Sequence, residues 1–411
     1  MKRSTAIILS VLTLAIYSAY ILSGTAEWLY QWSKTFASHE IRQHLGLSKR
    51  YLLQYGHMVF LFILLVLSRF IFNVPAAFPI SKKWVGTLAK YTPAVFLFHF
   101  PILFFLAAIT DYDRTSNLAQ FLLLGSVLLL CILAACASFL LKPFFDRAQS
   151  RCLEYLVRRY PGNDLIAGGR ESLKLDPVHS NFLNFVKAAS MGAIVLGHFS
   201  YEQFTIYQLP GFDGTAPRFA VPVFFMLSGY FLMLSIDRTP LSAPVLFFKR
   251  MWSLYYLIVP MILIVPILDQ IGYSTGPEVY QFKDYYVFER ERGPLGTPIF
   301  LATWINSLLY LNESWIYTLS GMSSMKGGIV AFSNDPYWFM CYLLPFTLIM
   351  IVWRMVRGLQ RVVVLFLVFV IIGPPVLMLA PLFFAGGLAY KIHKKLDTKN
   401  EKPETREAVH S

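Results

Sequence analysis

Residues 181–202 read NFLNFVKAASMGAIVLGHFSYE, an apolar stretch interrupted by Asn184, Lys187 and His198. Its length suits a membrane-spanning helix, which needs about 20 mostly apolar residues. Titratable side chains are costly inside a bilayer and usually face a bundle interior or a water-filled cavity. Lys187 and His198 stand eleven positions apart. On an α-helix that puts them within roughly 30° of one face and about 16 Å apart along the axis. A cation nearer the membrane surface and a histidine deeper in, on one wall, point to acyl transfer. The cation would hold an anionic donor and the imidazole would act as base.

Composition agrees with the membrane reading. The chain has 411 residues, of which 56% are hydrophobic and 14% charged, and its mean hydropathy is +0.54. A soluble surface needs more charge, so the chain is an all-α, polytopic transmembrane helical bundle. Long unbroken apolar runs exclude a membrane β-barrel. The net charge of +13 does not mark a nucleic-acid binder, because the basic residues lie between apolar runs. Cys131, Cys136, Cys152 and Cys341 lack metal-ligand spacing and read as small apolar helix residues. Neither a metal nor a bound cofactor is expected. Met1-Lys2-Arg3, followed by apolar residues and Gly24-Thr25-Ala26, looks like a signal peptide. The run from Thr5 to Leu22 is nevertheless long enough to span, and it reads as a retained first helix.

Apolar runs near 5–24, 56–74, 92–110, 117–142, 182–200, 218–236, 251–271, 336–354, 361–373 and 375–391 give about ten spans. The last two form a hairpin broken at Gly373-Pro374-Pro375. A shorter run, 298–311, reads as an interfacial or re-entrant piece. With Lys2 and Arg3 inside, the loops holding Lys82 and Lys83, Arg147 to Arg159, Arg238 to Arg250 and Arg354 to Arg361 all fall on the cytoplasmic side. So does the C-terminal tail, and acidic loops fall outside, as the bias of Lys and Arg toward the cytoplasm requires. The exception, 25–55, holds Lys34, Arg42, Lys49 and Arg50 and reads as an amphipathic interfacial segment. Residues 143–180 read as polar and without apolar periodicity. The organisation is four spans over 1–150, a cytoplasmic linker over 151–180, six spans over 181–395 and a polar cytoplasmic tail over 396–411.

Several residues have both a plain and a chemical reading. A lysine near a helix end snorkels, and a histidine between helices packs. Glu202, one turn beyond His198, is an ordinary loop acid or the group that orients the imidazole. Ser228 and Gly229 allow close helix approach. Lys249 and Arg250 anchor the inner interface or clamp donor phosphates.

The order Asn184, Lys187, His198, then VPVFFMLSGYFL with Ser228, FFKRMW with Lys249 and Arg250, DPYWFMCYLL with Trp338, and LFFAGGLAYKI resembles the membrane acyltransferase-3 family. Near the N-terminus, YTPAVFLFHFPILFF, with His99 and Pro101, resembles the family's late His-x-Pro helix. LKPFFDR resembles the close of its last span. The family's final helices therefore come first and its opening helices second, as in a circular permutation. Departures are Asn184 where an acid is usual, Lys187 where Arg is commoner, and a basic cluster of two.

The resemblance implies an integral-membrane acyltransferase, most often an O-acetyltransferase. It takes acyl-CoA (acetyl-CoA) from the cytoplasm as co-substrate and modifies a hydroxyl of a cell-surface glycan or lipid-linked sugar. It implies a bacterial inner membrane. His198 and Lys187 are the expected catalytic pair, with Lys249 and Arg250 binding donor. Asn184, Glu202, Ser228, His99 and Trp338 are expected to line the cavity. The outer loop 272–335 is the expected acceptor contact. Asn312-Glu313-Ser314 reads as a chance glycosylation match. Expected partners are the bilayer, the donor and the acceptor, with no nucleic acid. The rival readings are a transporter or flippase of a lipid-linked glycan or small solute, and an inactive relative serving as scaffold.

Overall fold

The computed structural model describes residues 1–35, 51–73, 78, 80–110, 112–161, 175–205, 216–281, 298–315 and 331–407. Over these the chain is helical, and its β-structure is a single bridge between Ala331 and Asn334. Among the described residues nine helices are long and apolar enough to cross a membrane. They are α1 (Arg3–Leu22), α3 (Tyr51–Ile71), α4 (Lys82–Ile109), α5 (Asn117–Arg159), α6 (Pro177–Phe199), α7 (Ala216–Arg238), α9 (Tyr255–Thr275), α12 (Trp338–Met355) and α13 (Gly358–Leu377). Shorter helices are α2 (Thr25–Ser33), α8 (Ala243–Trp252), α10 (Pro277–Tyr280) and α11 (Pro298–Leu309). The chain closes with α14 (Ala380–Glu407). The tenth expected span, 375–391, falls mainly on α14, which is apolar only until Lys391. The run at 298–311 forms α11, twelve residues and too short to span.

Proline and glycine shape the spans. Pro93 and Pro101 lie inside α4, and each leaves the carbonyl four residues earlier without its helical partner. Asn334 Nδ2 donates to one such carbonyl, Leu97 O, at 2.8 Å. In α13, Gly373 takes a left-handed φ of 76° just before Pro374 and Pro375. The carbonyls thereby freed are those of Val370 and Ile371. Trp315 Nε1 donates to Val370 O at 2.7 Å, and Ser314 Oγ donates to Ile371 O. The Trp315 ring lies where a Cβ on Gly373 would project. The break expected at 373–375 is therefore a backbone turn plugged by the segment after α11.

The helices before and after residue 175 interlock. α6 packs between α4 and α7; α5 and α9 both lie against α4, and α3 packs on α7 and α14. α14 runs along α7, where Cβ atoms on Gly229 and Gly386 would strike Phe383 O and Met226 O respectively. One end of this pair is pinned by charge. Lys394 Nζ and Tyr390 Oη both donate to Asp237 Oδ2, at 2.6 and 3.0 Å. Arg69 donates twice to Asp397. Against α3, α1 packs with Tyr17 Oη bonded to His57 Nδ1 at 3.0 Å. Within the expected interfacial stretch 25–55, α2 exposes Trp28 and Trp32, whereas 36–50 lie outside the described residues.

One boundary differs from the sequence reading. Residues 151–159 are not linker, because α5, 43 residues long, runs on through the polar stretch to Arg159. Phe145, Gln149, Leu153 and Leu156 recur at helical spacing and are partly buried, a stripe hidden among charges. α8 runs beside it. Trp252 Nε1 donates to Phe145 O at 3.0 Å, Gln149 Nε2 to Lys249 O at 3.1 Å, and Ser242 Oγ to Tyr160 O at 2.8 Å. The remainder of the linker, 162–174, lies outside the described residues.

The glycine contacts give a direct test. Gly386→Val forces a side chain onto the Met226 carbonyl and is expected to cost about 1–3 kcal/mol. Gly192, on α6, has no atom within 4 Å of a built Cβ, so Gly192→Ala is expected to gain about 0.5–1 kcal/mol. Thermal unfolding in detergent measures both; equal melting temperatures for the two variants would contradict the packing described.

Candidate active site

The site is built on α6. Asp176 starts the helix, its Oδ1 accepting from Val178 N at 2.8 Å and His179 N at 3.4 Å, with Pro177 at the first helical position. Lys187 then comes about 15 Å along the axis, and His198 falls in the last turn.

Lys187 opens into a cavity of about 250 Å³ enclosed by α4, α6, α7, α8 and α12. Its wall is mostly apolar, with Phe96, Met191, Phe224 and Leu343, and it carries two cations, Lys187 and Arg250. Arg250 sits in the last turn of α8, the helix held beside α5 by side-chain-to-backbone hydrogen bonds. Both cations are partly buried. Among the described residues no carboxylate pairs with either. Burial lowers the Arg250 pKa, yet a guanidinium remains charged. Two basic groups on one apolar wall lack a counter-charge there, and a desolvated charge is costly without one.

His198 lies beyond this cavity. The last α6 residue on the cavity wall is Met191, so the imidazole is about 10 Å further along the axis. His198 Nδ1 is 2.8 Å from His99 Nε2, and the two rings are parallel to within 3°. His99 is 1% exposed, whereas His198 is partly exposed. Around them stand the rings of Phe100, 4.8 Å from His198 by centroid, and Tyr201, at 5.4 Å.

The other expected residues divide. Ser228 lines the cavity, next to the Gly229 contact with α14. Lys249 is exposed and not part of the wall; one helical step from Arg250, it points elsewhere. Glu202 is exposed beyond the end of α6, and the partner of His198 Nδ1 is an imidazole instead. Asn184 is partly buried but not on the wall. Trp338 stacks edge-on against Tyr342, with ring centroids 5.3 Å apart, behind Phe339 and Met340, which do line the cavity. Most of the loop 272–335 lies outside the described residues.

Sequence reasoning missed Tyr310 and Asn334. Tyr310 lines the cavity, holds a left-handed φ of 59° and donates from Oη to Met251 O at 3.1 Å. Nothing local marks it. Asn334 is fully buried and is foreshadowed only by Pro101, which must leave a bare carbonyl. Asn312, in the apparent glycosylation match, is 1% exposed and bonded to Ser307 Oγ at 3.1 Å.

A family model described as an acyltransferase domain matches residues 180–402, just over half of the chain. The chain belongs to the acyltransferase-3 family. No curated protein and no solved structure matches it. It is therefore a multi-pass membrane acyltransferase. In this acyltransferase the matched segment supplies Lys187, His198, Ser228 and Arg250, while His99 comes from outside it.

Asn334 tests how the site helix is held. Asn334→Leu removes the donor to Leu97 O, leaves a buried carbonyl bare, and is expected to destabilise the protein by about 1–3 kcal/mol. Thermal unfolding in detergent measures it; an unchanged melting temperature would contradict the role given to this bond.

Proposed function

We propose that the protein moves a short acyl group, acetyl in the first instance, from acyl-CoA to a hydroxyl of a cell-surface glycan or lipid-linked sugar. The observation that carries this reading is the pair of basic side chains, Lys187 and Arg250, without a carboxylate partner among the described residues, on an apolar-walled cavity beside the helix that ends at His198. Phosphate is the natural counter-charge for such a pair. The apolar wall, with Ser228 for a polar contact, suits the pantetheine arm of the donor. That arm leads the thioester along α6 toward the imidazole.

In the transfer, His198 takes the proton of the acceptor hydroxyl as its oxygen attacks the thioester carbonyl. The C–O bond forms and the C–S bond breaks. The leaving thiolate takes the proton back from His198, so the enzyme returns to its starting state. Lys187 holds donor phosphate or stabilises the developing oxyanion. The protein works in a bacterial inner membrane, with its Lys187 and Arg250 end and both termini toward the cytoplasm. His99 lies outside the matched family segment yet stands at the centre of the site. That favours one complete, circularly permuted unit over two fragments that complete each other in a dimer.

Purified protein in liposomes, supplied with radiolabelled acetyl-CoA and an extract of lipid-linked sugars, tests the reading. Wild type is expected to consume donor and His198→Ala to stop. Arg250→Ala loses a charge-assisted contact of about 1.5–3 kcal/mol and is expected to raise donor KM roughly 10–100-fold. Lys249→Ala is expected to stay close to wild type. Donor consumption unaffected by His198→Ala would remove the catalytic assignment. No consumption by wild type would return the transporter reading.

A further inference from the structure

The contacts of His99 decide which nitrogen of His198 carries a proton. His99 Nδ1 lies 2.9 Å from Val95 O and 3.0 Å from Phe96 O. Carbonyl oxygens only accept, so this nitrogen must bear hydrogen. The ring is 1% exposed, and its other ring neighbours are Phe96 and Phe100. No carboxylate pairs with it among the described residues. A second proton would bury an unpaired cation, so His99 is neutral and its Nε2 carries a lone pair. The 2.8 Å contact then has one direction: His198 Nδ1–H donates to His99 Nε2. The neutral His198 ring consequently keeps its lone pair on Nε2. Among the described residues that atom has no protein partner, and it is not among the sealed polar atoms. It is the nitrogen a substrate can reach.

From this chain of bonds we infer that His99 is a positioning residue that fixes the tautomer of His198, leaving Nε2 as the base. The inference rests on the acyl-transfer reading for its catalytic consequence, though not for the tautomer itself. The anchor begins in backbone. The Val95 and Phe96 carbonyls belong to α4, and the neighbouring Leu97 carbonyl, bared by Pro101, is held by Asn334. When His198 takes the hydroxyl proton on Nε2, its Nδ1–H still points at the His99 lone pair. The imidazolium is stabilised there without any proton passing to His99. An imidazole thus does what a carboxylate does beside a catalytic histidine elsewhere: it orients the ring and sets its tautomer. A neutral partner does this without placing a fixed negative charge in a membrane interior, where an unpaired charge is costly.

Two variants and one spectrum test it. His99→Leu removes the acceptor. His99→Gln restores one, because the Gln Oε1 reaches about as far as the lost Nε2. ¹⁵N NMR of histidine-labelled protein in lipid, with the His198 signal assigned by its loss in His198→Gln, reads the tautomer directly. The expected result is an Nδ1–H, bare-Nε2 ring in wild type and His99→Gln, and a change of tautomer in His99→Leu. In the liposome assay His99→Leu is expected to lose about 10²-fold or more in kcat, the scale of a misplaced general base, with donor KM within about twofold. His99→Gln is expected to recover most of that loss. A wild-type His198 protonated on Nε2, or a His99→Leu spectrum like wild type, overturns the inference and leaves the acyl-transfer reading intact. Full donor consumption by His198→Ala beside the expected spectrum overturns that reading and leaves the tautomer assignment standing.

Discussion

A bilayer offers no water to a backbone carbonyl that has lost its helical partner, so a donor from within the protein stabilises a span broken by proline. Much of this structure follows from that constraint. Pro101 bares Leu97 O, and the turn at 331–334 is drawn into the bundle so that Asn334 meets it. Pro374 and Pro375 bare Val370 O and Ile371 O, and the chain after α11 is drawn in so that Ser314 and Trp315 meet those. The same inward turn carries Tyr310 to the cavity wall. The segments that look like loops in sequence therefore hold the spans in place, and the carbonyls beside Leu97 hold His99.

The second constraint is close approach. α7 and α14 touch through Gly229 and Gly386 at distances that admit no Cβ, and the tight fit sets Ser228 on the cavity wall. At one end of this pair Asp237 collects Lys394, Tyr390 and, at 3.6 Å, Arg354. The carboxylate is 1% exposed in its side chain, so the pairing fixes geometry more than it adds stability. Lys187 and Arg250, on the cavity wall, have no such carboxylate partner among the described residues.

The spans were legible in sequence because an apolar run of about 20 residues has few alternatives. Lys187 and Arg250 were singled out in sequence through the family resemblance, and both line the cavity. The neighbouring Lys249 was not separable from Arg250, since one helical step of 100° decides which side chain meets the cavity. Glu202, an ordinary loop acid or the group orienting His198 on sequence grounds, was a candidate only because it is near in sequence. The actual partner, His99, lies 99 residues away and is reached only through the packing of α4 on α6. The extension of α5 to Arg159 was missed because its apolar stripe is spaced among arginines. Tyr310 has no local signature, since its place depends on a non-glycine left-handed turn. What sequence lacks in each case is the third dimension of a contact, not the chemistry of the residue.

The measurement that most directly tests the central claim is a cryo-EM structure of the protein in lipid nanodiscs with a non-transferable acyl-CoA analogue, its thioester sulfur replaced by methylene. Phosphate density is expected against Arg250 and Lys187, and the carbonyl carbon of the analogue within one hydroxyl's reach of His198 Nε2. Phosphates bound away from that pair, or a carbonyl on the Nδ1 side with His99 displaced, would contradict it.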